Sequence, residues 1–207
     1  MAERLESGSG RDASPLDALG DAGNILVLAP SIGASRSDAC HRLLTGSPPA
    51  STNVLAVTFA DTPAEWIDEW TEWAGEPPAR GGVVAIGQAE TRLEAPDWTV
   101  ETVENPGDLT GIGVELSELL SGMAGAAGED ESVAVCFDSV TSLSQYADLQ
   151  RTFRFLHVVT GRIKSAGASG HFHVDPEAHS DQDLATLKDL FDAIVEVRGD
   201  GELTVIR

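Results

Sequence analysis

Short apolar, β-branched runs alternate with helical stretches along nearly the whole chain, and this alternation constrains the fold more than any other feature. Strands are expected at 24–29 (NILVLA), 53–59 (NVLAVTF), 82–87 (GVVAIG), 133–138 (VAVCFD) and 171–174 (HFHV). Between them lie SDACHRLL, PAEWIDEWTEWAG, LTGIGVELSELLSGM, the long LSQYADLQRTFRFLHVVTGRIKSAG, and DQDLATLKDLF, all with helical spacing of apolar residues. Strands that are apolar on both faces and separated by helices predict a mostly parallel central sheet covered on both sides, an α/β fold in three layers. AIVEVR and ELTVIR, joined around GDG at 199–201, predict a C-terminal β-hairpin. The stretch 88–105 reads as an irregular excursion.

At 207 residues and 42% hydrophobic content the chain can bury one sizeable core. Residues 1–20 are polar and rich in Gly, Ser, Asp and Glu, which predicts a flexible N-terminal arm ahead of a single domain at 21–207. Cys40 and Cys136 fall in a predicted helix and a predicted strand, as buried free thiols of a reducing compartment would. No apolar run approaches the ~18 residues of a membrane span and the N-terminus has no apolar signal core, so a cytoplasmic protein is expected.

Charge narrows the partners. The 34 acidic residues outnumber the 13 basic ones, for a formal net charge of −21. Self-repulsion of this size opposes compaction, and molar salt, with a Debye length of ~3 Å, removes most of it. A salt-rich cytoplasm is the natural setting. Nucleic-acid binding needs clustered Lys and Arg, and no such cluster is present.

The segment NILVLAPSIGASRSDACHRLL (24–44) has the outline of a phosphate-binding loop: a strand, a small-residue loop and a helix. Such a loop needs glycines whose backbone N–H groups reach phosphate, a lysine for the terminal phosphates and a hydroxyl for magnesium. Here Gly33 is the matching glycine, Arg36 stands at the lysine position and Ser37 at the hydroxyl position, while Pro30 and Ser35 replace the other glycines. Pro30 has no N–H, and the planar fork of Arg36 is not an equivalent point charge. The following helix could still attract an anion through its free N–H groups.

Several separated segments together resemble the KaiC-like branch of the RecA-type ATPases, and more closely a haloarchaeal group of such proteins with degenerate nucleotide motifs. The resemblance spans about 24–207. It rests on NILVLAPSIGASRS, VLAVTFADTP, VAVCFDSVTSL, RFLHVVTGRIKSAG and LFDAIVEVR in the family's order. It implies a RecA-like P-loop NTPase fold, with Asp138 as the magnesium-side carboxylate. It also implies that Ala60 and Asp61 stand where the family has the acidic pair that polarises water. Alanine accepts no proton, so Asp61 is at most a weak catalytic candidate. From the residues alone, Asp61 or Thr62 as helix N-cap with Pro63 in the first turn is the favoured reading.

HFHVDPEAH places His171 and His173 on one strand face, with Asp175 just beyond and His179 in the loop. This is a candidate divalent-metal set of His171, His173 and Asp175 at the carboxyl edge of the sheet. Trp66, Trp70 and Trp73 share a helical face expected to pack on the sheet, and Gly75 with Pro77–Pro78 should end that helix. The expected function is a catalytically inactive, pseudo-ATPase domain acting as a regulatory or protein-interaction module in a halophilic archaeon. Its partner would be another protein, and a homo-oligomer would also be compatible. No cofactor is expected; the alternative is a divergent ATPase with weak binding of ATP and magnesium. The long helix with Arg151, Arg154 and Arg162 is the least acidic face and the expected contact surface.

Overall fold

The computed structural model describes residues 18–31, 34–89, 95–198 and 201–206. The expected N-terminal arm lies outside the described residues up to residue 17; beyond it, Leu19 is already buried. In chain order the first half comprises β1 (Asn24–Leu28), α1 (Ala34–Leu44), β2 (Thr52–Thr58), α2 (Pro63–Ala74), β3 (Arg80–Ile86), β4 (Trp98–Val103) and α3 (Leu109–Ala126). The second comprises β5 (Ser132–Asp138), α4 (Val140–Leu143), α5 (Leu149–Ser165), β6 (Ser169–Val174), α6 (Asp181–Lys188), β7 (Ala193–Val197) and β8 (Leu203–Ile206). The strands form one sheet in the order β4-β3-β2-β5-β6-β1-β7-β8. All neighbours pair in parallel except β7 and β8, which form the expected antiparallel hairpin.

Strand alternation sends successive residues into different layers. Leu26, Leu55, Phe137 and Phe172 meet Ile112 and Leu116 of α3 and Leu156 of α5 on one face. Val54, Ala56, Ala134 and Cys136 meet Leu44 of α1 and Trp66 and Trp70 of α2 on the other. Each fully buried Leu, Val or Phe contributes about 1.5–3 kcal/mol relative to exposure. Sheet and helices therefore form three layers.

Local signals set the ends of α2. Thr62 is the N-cap of a capping box with Glu65, Pro63 opens the helix, and Gly75 closes it at φ 72°. Trp66 and Trp70 are buried against the sheet, while Trp73 is 39% exposed and stacks on His41 of α1 with ring centroids 4.9 Å apart.

Two elements differ from the sequence expectation. The excursion at 88–105 contains β4, an edge strand whose WTVETV is too polar to read as apolar; residues 90–94 lie outside the described residues. Trp98 holds it in place by lying flat over Gly81, where an added Cβ would come within 2.2 Å of the ring. The long helix expected from Leu143 is divided into α4 and α5, because the Asp148 carboxylate accepts the Arg151 N–H and starts a new helix. No helix among the described residues is long and apolar enough to cross a membrane.

Candidate functional site

Parallel pairing brings the C-terminal ends of β1, β2, β5 and β6 to one edge of the sheet, with Thr58 opposite Asp138 in register. Open α/β sheets place ligands at such an edge. Arg36, in the first turns of α1, reaches across β6 and forms an ion pair with Asp138 at the end of β5. Both side chains are largely enclosed, at 17% and 13% exposure. The Asp61 carboxylate, in the turn after β2, lies 3.9 Å from the same guanidinium. Burial opposes the charge on Arg36, but Asp138 and Asp61 outweigh it and raise its pKa. Burial pushes the Asp61 carboxyl above its ordinary value; Arg36 pulls it down and Asp138 adds repulsion.

The neighbouring positions divide. Gly33 lies outside the described residues. Ser37 lines a separate cleft of about 420 Å³ between α1 and α2, shared with Asp38, Glu69 and Glu72. Carboxylates there disfavour a polyphosphate. Thr58 braces the Asp61 turn: its hydroxyl accepts the Asp61 N–H at 3.1 Å and donates to the Asp61 carbonyl at 3.3 Å.

One turn below Arg36 on α1, and two residues before Asp138 on β5, lies a second constellation. Cys40 Sγ is 3.0 Å from Cys136 Sγ and 3.2 Å from His171 Nε2. His173 completes the group, and ligand atoms of all four lie within 4.8 Å of one another, all buried. The His171 and His173 rings meet edge to face at 5.2 Å. Among the described residues, neither ring nitrogen of His173 has a hydrogen-bond partner. Hydrogen bonding with Cys136 holds the Cys40 thiol well below its ordinary pKa despite burial. Burial pushes the Cys136 thiol up and the His171 imidazole down.

Asp175 stands apart from His171 and His173. Its carboxylate accepts the Ser31 N–H at 2.9 Å and the Glu177 N–H at 3.0 Å, and its own N–H donates to Thr141 Oγ1 at 2.8 Å. Burial pushes that carboxyl up, yet the hydrogen bonds from Ser31 and Glu177 leave it below its ordinary value. The effect is to tie the loop after β1 to the end of β6. His179 Nε2 lies 3.1 Å from Thr141 Oγ1, in a small cavity of about 320 Å³ away from the other histidines. The sequence singled out His171 and His173 through alternation but not Cys40 and Cys136, whose contribution depends on β5 lying beside β6 and α1 crossing both.

The strand order and the helices on both faces define an α/β domain of RecA-like fold. The chain belongs to the family of unknown function DUF7504, whose model matches residues 22–197. Its structure is similar to that of PH0250 from Pyrococcus horikoshii OT3, with a TM-score of 0.57 at 11% identity, covering 93% of this chain and 91% of that one. It is also similar to the flagellar accessory protein FlaH from Methanocaldococcus jannaschii, with a TM-score of 0.50 at 13% identity, covering 87% and 74%. At such identities the likeness speaks for the fold alone. No curated protein matches.

Proposed function

We propose that this chain is a RecA-like domain whose nucleotide site is closed by its own ion pair, and that it serves as a regulatory or protein-interaction module in a salt-rich cytoplasm. The observation that carries this reading is the pairing of Arg36 with Asp138. In the KaiC-like pattern the cation at the first position grips phosphate and the carboxylate at the second helps hold magnesium. Here each neutralises the other. Admitting magnesium and a triphosphate would require parting an enclosed pair, which leaves charges without partners at a cost of several kcal/mol unless the ligand replaces every contact. Pro30 offers no N–H, Ala60 no proton acceptor, and Asp61 adds negative charge.

A groove of about 650 Å³ between α3 and α5 supplies a surface for a partner. Val114 and Val158 are exposed along it, at 45% and 55%, and Arg151, Arg154 and Arg162 also line it. On a chain this acidic, an apolar floor bordered by arginines fits an amphipathic, acidic helix of another protein. The test combines two readouts in molar KCl with magnesium. The reading expects no phosphate release above background with ATP, and loss of captured partner from Arg151→Glu/Arg154→Glu/Arg162→Glu. Turnover abolished by Asp138→Ala would overturn the inactive site, and undiminished capture by the triple variant would overturn the surface.

A further inference from the structure

We propose that Cys40, Cys136, His171 and His173 form a closed, four-ligand site for one zinc ion, pinning α1 to the sheet directly beneath the Arg36–Asp138 pair. Four donors from three separate elements converge: Cys40 from α1, Cys136 from β5, and His171 and His173 from β6. Strand geometry produces half of this arrangement. Cys136 and His171 are register partners on adjacent parallel strands, and alternation returns His173 to the same face. The helix crossing above contributes the fourth donor.

The chemistry of the donors selects the ion. Thiolate and imidazole together suit zinc, and four protein ligands with no open position are the mark of a structural rather than a catalytic site. Zinc–nitrogen and zinc–sulfur bonds of about 2.0–2.3 Å imply tetrahedral edges of about 3.3–3.8 Å. The Cys40–Cys136 and Cys40–His171 separations, 3.0 and 3.2 Å, are shorter than those edges, so the donors move apart by side-chain rotation as the ion enters.

His173 supplies an independent argument. It is 1% exposed, and both ring nitrogens lack partners among the described residues. A buried polar group left so is destabilising, and ligation removes the deficit at one nitrogen. Charge balance agrees. With Zn²⁺ held by two thiolates and two neutral imidazoles the site has zero net charge, which tolerates full burial.

The clamp has a structural consequence. Cys40 follows Arg36 by one helical turn and Cys136 precedes Asp138 by two strand residues, so the ion fixes both backbones that present the ion pair. The site stands whether or not nucleotide binds, and its test contains no nucleotide.

The intact protein, purified under reducing conditions in molar KCl, is dialysed for elemental analysis, then stripped and titrated with Co²⁺ alone. The proposal expects close to one zinc per chain. It also expects the intense visible bands of tetrahedral cobalt and a near-ultraviolet thiolate charge-transfer band. Cys136→Ser and His173→Gln should each weaken cobalt binding by more than the ~10–100-fold that loss of a supporting outer contact costs. Asp175→Asn should leave stoichiometry and spectrum unchanged. The wild-type spectra decide the matter even if a ligand variant fails to fold. Metal-free protein that gives no thiolate band, or a Cys40–Cys136 disulfide under these conditions, would overturn the proposal.

Discussion

The Arg36 guanidinium and the Asp138 carboxylate close on each other across the carboxyl edge of β6, each largely shielded from water. A residue from the loop-proximal end of α1 and one from the tip of β5 thus neutralise each other where the KaiC-like pattern separates them by a ligand.

Arg36→Ala should destabilise the fold by about 1–3 kcal/mol at pH 7, because it leaves Asp138 enclosed without a partner and beside Asp61. Without the guanidinium the Asp61 carboxyl, already raised by burial, loses the charge that pulls it down and stays above its unfolded value. Its contribution is then present below the unfolded pKa and lost as pH rises through the folded one. The deficit should therefore shrink on acidification. Urea denaturation of both proteins between neutral and acid pH checks this.

Asp61→Asn should act in the opposite direction. Burial already holds this carboxyl above the ordinary aspartate value of 3.8. Its contact with Arg36, at 3.9 Å, is too long to offset that. Removing the charge should raise stability slightly at neutral pH, and the gain should vanish below the unfolded pKa. Paired melting curves at neutral and acid pH would read it.

Gly81→Ala should loosen the sheet edge. The methyl group would enter the Trp98 ring, which must move, and overpacking of this kind costs about 1–3 kcal/mol. Trp98 also meets Trp66 and Trp70 edge to face, at 5.5 and 6.4 Å. The displacement should therefore appear in tryptophan emission as a shift to the red, together with a lower melting temperature.

Thr62→Ala should remove the N-cap of α2, a loss of about 0.5–2 kcal/mol. Thr62→Ser keeps the capping oxygen and should recover most of it. Denaturant midpoints of the two variants separate capping from the change in side-chain volume.

The sequence revealed those elements whose apolar pattern was unambiguous. The runs at 24–29, 53–59, 82–87 and 133–138 became parallel strands of one sheet because no polar residue interrupts their cores. β4 escaped notice because its Thr and Glu residues suit an edge, where half of each side chain meets water. The division between α4 and α5 depends on Asp148 competing for backbone N–H groups inside an otherwise continuous helical pattern. At the site, Arg36, Asp61 and Asp138 could be named from the loop and strand ends, but not their mutual closure, which needs β6 between β1 and β5. The histidine pair was visible by alternation; Asp175 lies past the end of β6, where alternation no longer specifies a face. Cys40 and Cys136 are 96 residues apart and meet only through the strand order.

Calorimetric titration of the wild-type protein with MgATP in molar KCl tests the closed site most directly. The account expects no saturable heat through millimolar nucleotide. A saturable binding isotherm that disappears in Asp138→Ala would show that the ion pair opens to a ligand, and would contradict it.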